Sequence, residues 1–404
     1  MRILVLDGDQ NQAVACVRSL ARQGHIVWAG ESHSWSKASW SRFCSGAFQY
    51  ASPQLHRERF VDDLLAESKK EPGTLILPMT EATTLVLSYH RDRFAAVGAR
   101  LVLPSHTDLL RAVDKKETTE LAQSMGMVVP KAAVVDCNEE IAGAERVIDF
   151  PVVLKPRTSL QMTHDSMRAT GRPRYARDFY QLQQALAEMR RSCPSVLVQE
   201  FVEGTGTGYF ALLNRGELRA EFAHRRIRDL HPTGSGSVLR ESVPVDPNIR
   251  DLSLAMLRAL NWHGVAMIEY RLRNDGTPVF MEVNGRFWHS LPLACYAGVD
   301  FPSLLARMAE FGDVETPPAY QVGVRCRWSV GDFRHLIEVW KGRPSGYPGF
   351  FPGRWSTLLA ELTPRPRTFH DNFMLHDPLP ELGDWIHFAR QVVERDLPRG
   401  IQAC

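Results

Sequence analysis

Apolar and polar positions follow a strand–helix rhythm along the first hundred residues. Residues 3–6 (Ile-Leu-Val-Leu) form the continuous apolar run expected of a strand buried on both faces. Apolar residues then recur at helical spacing over 13–23 until Gly24, and a second strand-like run follows at 25–29. The runs 74–77, closed by Pro78, and 101–103 repeat the strand pattern. Strands alternating with helices predict a parallel sheet. From Thr107 the chain reads as one helix to about residue 125, ended by Gly126 and Pro130. A β-rich run covers 150–156, and 251–260 is an amphipathic helix. The runs 209–214 and 217–224 flank Asn214-Arg215-Gly216 and predict a hairpin.

A second predicted hairpin carries the candidate chemistry. Met267-Ile268-Glu269-Tyr270 and Met281-Glu282-Val283-Asn284-Gly285-Arg286 lie in apolar runs joined by Arg273-Asn274-Asp275-Gly276-Thr277, a tight-turn composition. A turn centred on Asp275-Gly276 sets Glu269 opposite Glu282. Strand period puts Glu282, Asn284 and Arg286 on one face. Facing carboxylates repel unless something positive lies between them. Two carboxylates and an amide oxygen suit Mg²⁺, and Arg286 adds a fork for a phosphoryl or carboxylate oxygen. The bland alternative is a solvent-facing hairpin edge with ordinary surface charges. Four polar groups aligned inside apolar strands argue against it.

Composition narrows the class. A chain of 404 residues is too long for one compact core. A net charge of +2, with no basic run interleaved with aromatics, gives no footprint for nucleic acid. No apolar stretch is long enough to span a bilayer, and the opening strand followed by Asp7 is not a signal peptide. Seven scattered cysteines (Cys16, Cys44, Cys137, Cys193, Cys295, Cys326 and Cys404), with no Cys-x-x-Cys and no His at zinc spacing, read as free thiols in a reducing cytoplasm. The turn after the first strand has one glycine, Gly8, where a dinucleotide fold needs three, so dinucleotide binding there is not expected. Asp7 and Thr80-Glu81 do lie at strand carboxyl ends, where ligands of open α/β sheets bind. Glu81 is a candidate for a substrate amine, although Thr-Glu-Ala-Thr is also an ordinary helix N-cap.

The hairpin resembles the metal-binding end of the ATP-grasp superfamily, whose members use a Glu followed by Glu-x-Asn-x-Arg. The context is similar to the carbamoyl-phosphate-synthetase-like carboxylate–amine ligases. The resemblance covers roughly the first three quarters of the chain and is most specific from Ser195 to Asp300. It implies that Glu269 and the bridging Glu282 hold Mg²⁺ (with Mn²⁺ able to replace it), that Asn284 serves a second metal, and that Arg286 meets the transferred phosphoryl group. It further implies two ATP lysines, Lys115 in Asp114-Lys115-Lys116 and Lys155 in Val-Val-Leu-Lys-Pro, and an adenine hinge at Gln199-Glu200-Phe201-Val202. Glu203 is the candidate ribose acid, because Gly206-Thr207-Gly208 fills the usual place for one. An isolated Gly204-x-Gly206-x-Gly208 otherwise reads as a flexible turn. The segment 157–174 departs from the family's glycine-rich lid: it has only Gly171 and is rich in Arg168, Arg172, Arg174 and His164. A longer mobile lid or a substrate-binding segment is expected there. The loop from His231 to Ser237 resembles the large loop of carbamoyl-phosphate-synthetase-type domains. His231 and Ser235 are therefore catalytic candidates, with Arg226 or Arg228 and Arg240 nearby.

The expected architecture is α/β, an ATP-grasp fold: an N-terminal parallel domain over 1–105, a small lobe with linker helix over 106–194, a large lobe with the metal site over 195–315, and a separate C-terminal extension over 316–404. The expected function is ATP-dependent joining of a carboxylate to an amine through an acyl phosphate. Its partners are small carboxylates and amines, with neither nucleic acid nor membrane, and a homodimer is common in such enzymes. Carboxylation through carboxyphosphate, or a nucleotide-binding regulatory module without turnover, are the alternatives.

Overall fold

The computed structural model describes residues 1–136, 149–163, 166–363 and 365–396. Cys137, His164 and Cys404 lie outside the described residues. The N-terminal runs fold as read: β1 (Arg2–Val5), β2 (Ile26–Glu31), β3 (Gly46–Gln49) and β4 (Leu75–Leu77) form a parallel sheet in the order β3-β2-β1-β4. Ile3, Leu4 and Val5 are fully buried, because helices cover both faces of β1. The expected strand at 101–103 does not form, and Arg100 alone bridges to Leu75. Asp7 also departs from the ligand role its position suggested. Its carboxylate accepts hydrogen bonds from the Met79 and Thr80 amides, both at 2.9 Å, and from the Thr83 hydroxyl at 2.7 Å. It ties the end of β1 to the N-terminus of the helix Glu81–Tyr89.

The helix expected from Thr107 is two helices, His106–Val113 and Lys115–Ser124, broken at Asp114. Asp114 is extended (ψ 107°) and caps the second helix by accepting from the Lys116 and Glu117 amides. The small lobe contains β5 (Ala132–Asp136), β6 (Val152–Pro156), a hairpin of β7 (Leu160–Met162) and β8 (Met167–Ala169), then β9 (Arg174–Ala176) and β10 (Ser195–Glu200). Its sheet runs β5-β10-β6-β9. The β7/β8 hairpin docks on the first domain: the Met167 amide donates to Gln54 O at 2.8 Å, and Met167 is buried among Leu4, Phe60 and Ile76.

The large lobe is a seven-stranded sheet of β11 (Thr205–Asn214), β12 (Glu217–Arg228), β13 (Leu239–Ser242), β14 (Gly264–Leu272), β15 (Pro278–Asn284), β16 (Arg325–Arg327) and β17 (Thr368–His370). Its order is β15-β14-β11-β12-β13-β16-β17. The β11/β12 turn places Arg215 at φ 49° and Gly216 at φ 87°, as a tight hairpin requires. The C-terminal stretch is not the separate region expected. It supplies β16 and β17 to the large-lobe sheet, where Arg240 pairs with Asp371 at 2.6 Å, and grips the first domain through two further buried ion pairs, Arg18–Asp377 and Lys37–Asp384, both at 2.8 Å. One apolar core also runs from the helix Asn11–Arg22 through Phe301 and Leu305 to Phe210, Phe222 and Met267 of the sheet. Among the described residues no helix is long and apolar enough to cross a membrane.

Candidate active site

Glu269 and Glu282 face each other across β14 and β15, as the hairpin reading expects. The route to that register differs. Near the turn the register is one residue shorter, with Leu272 opposite Pro278 and Tyr270 opposite Phe280, and a bulge beside Glu269 absorbs Met281. The turn itself closes through the Gly276 amide to Arg273 O at 2.9 Å, with Gly276 at φ 84°. The bulge re-aims two successive side chains, so both Met281 and Glu282 line the same cavity.

That cavity has a volume of about 260 Å³ and lies between the two lobes. Its charged wall is built in rows across the sheet. Gly208 on β11 sits between Glu269 on β14 and His224 on β12, and Gly206 pairs with Arg271. A Cβ on Gly206 would fall 2.7 Å from Cδ of Arg226. Gly206 and Gly208 are therefore strand residues rather than a flexible turn, and the missing side chain of Gly206 admits the Arg226 side chain. Arg226 reaches Glu269 at 2.5 Å and Asp229 at 3.6 Å. Burial pushes the Glu269 carboxyl above its ordinary value and the facing Glu282 adds to this, although Arg226 opposes both. Burial acts on Glu282 in the same sense, but Lys115, Lys155 and the Asn284 amide hold it below the usual carboxylate range. Asn284 donates to Glu282 at 3.2 Å, and Arg286 lies 3.4 Å from the Asn284 oxygen. These groups form a buried, partly neutralised oxygen donor set, which a hard divalent cation fits.

Both predicted lysines reach this wall. Lys155 on β6 stands opposite Leu197 and donates to Gln199 Oε1 at 3.0 Å. Burial lowers its ammonium to about 8, with Lys115 acting in the same sense and Glu282 and Glu269 against it. Lys115 is aimed by the helix break. Arg157 holds Asp114 at 2.7 Å, and the Lys115 ammonium reaches Ser159 at 3.3 Å. At the hinge, Phe201 and Val202 line the cavity with Val153 and Tyr175. Glu200 also lines the cavity, and its side chain bonds Arg273 at 3.0 Å and the Lys131 amide at 3.2 Å. It ties the hinge to the turn of the carboxylate hairpin. The Phe201 amide is used by Pro151 O, whereas Val202 N–H has no backbone partner among the described residues. Glu203 is exposed and is not among the residues lining the cavity.

The large loop curls back on itself, with the His231 amide bonded to Ser235 O at 3.0 Å. Thr233, Gly234, Ser235 and Gly236 roof the cavity, while Ser235 also lines, with His231, a neighbouring groove bounded by Arg172, Gln181 and Glu338. Of the candidate arginines only Arg226 touches the carboxylates. Arg228 pairs with Asp332, and Arg240, fully buried, pairs with Asp371. Three lining residues escaped the sequence reading: Arg271, Tyr175 and Met281. Arg271 staples Gly204 O (3.0 Å) to Gly234 O (2.9 Å), and its place two residues beyond Glu269 on the same strand was a signal that strand period offers.

A second cavity of about 270 Å³ meets the first at Lys115, Ser159 and Glu282. It is lined by Thr80, Glu81, Asn284 and Arg286, so the first domain closes the far side of the carboxylate hairpin. Thr80 does cap its helix, and Glu81, the first helical residue, turns its carboxyl inward. Glu81 Oε1 is buried without a hydrogen-bond partner. Burial raises this carboxyl, against the opposing charges of Arg286 and Lys115.

Residues 192–331 match the family model described as ATP-grasp in the biosynthetic pathway with Ter operon. Over 124 residues the chain is 27% identical to the carbamoyl phosphate synthase large chain, N-terminal section, of Aquifex aeolicus, covering 28% of this chain and 22% of that one. It is 25% identical over 223 residues to the D-alanine–D-alanine ligase of Dechloromonas aromatica, covering 49% of this chain and 67% of that one. The fold resembles an L-amino acid ligase from Bacillus licheniformis (TM-score 0.58, 14% identity, 78% of this chain and 75% of that one). It also resembles the biotin carboxylase domain of a Hydrogenobacter thermophilus 2-oxoglutarate carboxylase, solved with MgADP and bicarbonate (TM-score 0.62, 13% identity, 80% and 73%). With the lobes, the paired carboxylates and the two lysines in place, residues 192–331 match an ATP-grasp family and the fold around them resembles that of ATP-grasp carboxylate–amine ligases.

Proposed function

We propose that this protein is an ATP-dependent ligase that activates the carboxylate of an amino acid and joins it to an amine. The reading rests above all on one observation: the two cavities meet at Glu282 and Lys115. In this reading the first cavity holds ATP, with the adenine between Val153, Tyr175, Phe201 and Met281 and the phosphates at Lys115 and Lys155. The second holds the acceptor, its carboxylate toward Arg286 and its ammonium at the unpartnered Glu81. Glu269, Glu282 and Asn284 would hold Mg²⁺, or Mn²⁺ in its place, which neutralises charge on the transferring phosphoryl group. Lys155 and Lys115 orient the phosphate chain, and Arg286 steers a carboxylate oxygen onto the γ-phosphorus. The phosphorus–oxygen bond to ADP breaks as the acyl phosphate forms. An amine nitrogen then attacks the acyl carbon, phosphate departs, and the nitrogen loses a proton. Such a site works by positioning and charge neutralisation and needs no nucleophilic side chain.

ADP release measured across amino acids and small carboxylates tests this, with hydroxylamine present to trap the activated acid. The expected result is carboxylate-dependent ADP release and a hydroxamate detected by mass spectrometry. ADP release with bicarbonate alone, without a hydroxamate from any organic acid, would replace this reading with carboxylation through carboxyphosphate.

A further inference from the structure

Outside the residues that line the two cavities, three side chains converge that are distant in the chain. Asp9 follows β1, His33 follows β2, and His387 lies on the C-terminal helix Leu379–Asp396. Asp9 Oδ2 is 2.8 Å from His33 Nε2 and 3.0 Å from His387 Nδ1. All three atoms lie within 4.8 Å of one another. The two imidazoles face each other with centroids 6.4 Å apart and planes 23° apart. The Asp9 side chain is only 6% exposed. Its Oδ1 accepts from the Lys37 amide at 3.1 Å, while Oδ2 faces the two imidazole nitrogens. His33 Nδ1 is buried without a hydrogen bond.

The geometry points to a transition-metal site at Asp9, His33 and His387, of the Zn²⁺ class, that clamps the C-terminal helix to the first domain. Two imidazoles and one carboxylate suit Zn²⁺, Co²⁺ or Fe²⁺, whereas Mg²⁺ and Ca²⁺ select oxygen-only sites. The donor set therefore differs in kind from Glu269, Glu282 and Asn284. The Glu31 carboxylate stands beside the cluster, accepting from the Asp9 amide at 3.3 Å. Arg390 acts on His33 against the pull of Asp9. On His387, a metal at Nδ1 leaves the proton on Nε2, which lies 2.6 Å from the Gln391 amide nitrogen. Turning that amide presents its oxygen to this proton and releases its contact with Arg334. The metal would reinforce the adjacent Lys37–Asp384 pair on the same helix. It is a staple rather than a catalytic centre, so the inference stands apart from the ligase reading.

The full chain, stripped with chelator and dialysed against excess Mg²⁺ with Zn²⁺ or Co²⁺, tests the site. Expected is about one equivalent of Zn²⁺ by elemental analysis, unaffected by Mg²⁺, with a rise in melting temperature of about 2 °C or more. The Co²⁺ form should show ligand-field bands without sulfur-to-cobalt charge transfer, which separates this site from the free cysteines. His33→Ala and His387→Ala should each lose the equivalent and the thermal shift, and Asp9→Asn should weaken binding at least tenfold. Absence of a stoichiometric metal in the wild-type chain, or an equivalent retained in both histidine variants, overturns the proposal and leaves the cluster an imidazole–carboxylate ion pair. The wild-type stoichiometry and cobalt spectrum decide the matter even where a variant folds poorly.

Discussion

Replacing Glu282 by Gln should separate catalysis from folding. The side chain keeps its shape while one of two facing buried carboxylates loses its charge. Partners on opposed strand positions have Cβ atoms about 5 Å apart, and at an effective dielectric of about 20 two like charges at that distance repel by about 3 kcal/mol. That repulsion, felt by Glu269 in its raised carboxyl, disappears in the variant. Against it, Lys115 and Lys155 lose the anion that now lies between them. The two changes oppose each other, so the melting temperature of the ligand-free variant should match wild type or exceed it. Turnover should not survive, because Glu282 stands where both cavities meet and charge develops there during transfer. Loss of one preorganised electrostatic group costs about 10²–10³ in kcat, equivalent to about 3–4 kcal/mol. Nucleotide affinity should change less, since Lys155 and the hinge remain. The assay is carboxylate-dependent ADP release over a range of ATP and Mg²⁺, alongside thermal unfolding of the same preparation. A variant with wild-type kcat at ordinary Mg²⁺ would show the hairpin to be structural and refute the assignment.

Three further outcomes are expected. ATP affinity should be full below pH 8 and weaken as pH rises through about 8, where burial has brought the Lys155 ammonium down to its titration point; calorimetry should then show proton uptake on binding, and Lys155→Arg should abolish the inflection. Glu81→Gln should raise the KM for an amino acid substrate about tenfold or more while leaving that for ATP near wild type, because it removes the charge of a first-domain acid that shares the second cavity with Arg286; equal KM values in both proteins would remove Glu81 from the acceptor site. Arg240→Met should destabilise the fold by about 3–5 kcal/mol in chemical denaturation, because Asp371 is then left buried and unpaired between the large-lobe sheet and the C-terminal stretch.

Much of the candidate site was legible in the sequence because its parts are local. Glu269 and Glu282 are joined by one tight turn, so turn composition and strand period suffice to bring them together. Lys155 stands out as a charge inside an apolar strand, and Phe201-Val202 as an extended segment after another. The break at Asp114 was present as an N-cap residue within an otherwise continuous helical pattern, and it is this break that aims Lys115. His231, which lines the neighbouring groove, was less legible for a different reason. Its loop was matched by residue type, but the direction of a side chain in a curled loop follows from backbone bonds such as that between His231 and Ser235.

Other features had no local signature at all. Arg226 reads as one of several arginines until β11 brings Gly206 beneath it and β14 brings Glu269 beside it. Arg240 looks equally exposed until Asp371 arrives from a strand added 131 residues later. The apparent C-terminal extension gives no hint of joining the large-lobe sheet, because short strands such as β16 and β17 are stabilised by their neighbours rather than by their own pattern. Asp9, His33 and His387 could not be grouped by spacing, since metal motifs are read over short separations and His387 reaches Asp9 only when the last helix packs on the first domain. The sequence by itself thus determined the first parallel strands, the carboxylate hairpin and the chemistry carried within it. Packing between distant segments decided which charges are neutralised, which are left facing a cavity, and where the two cavities meet, because those outcomes depend on burial that the chain acquires only when its sheets and helices close on one another.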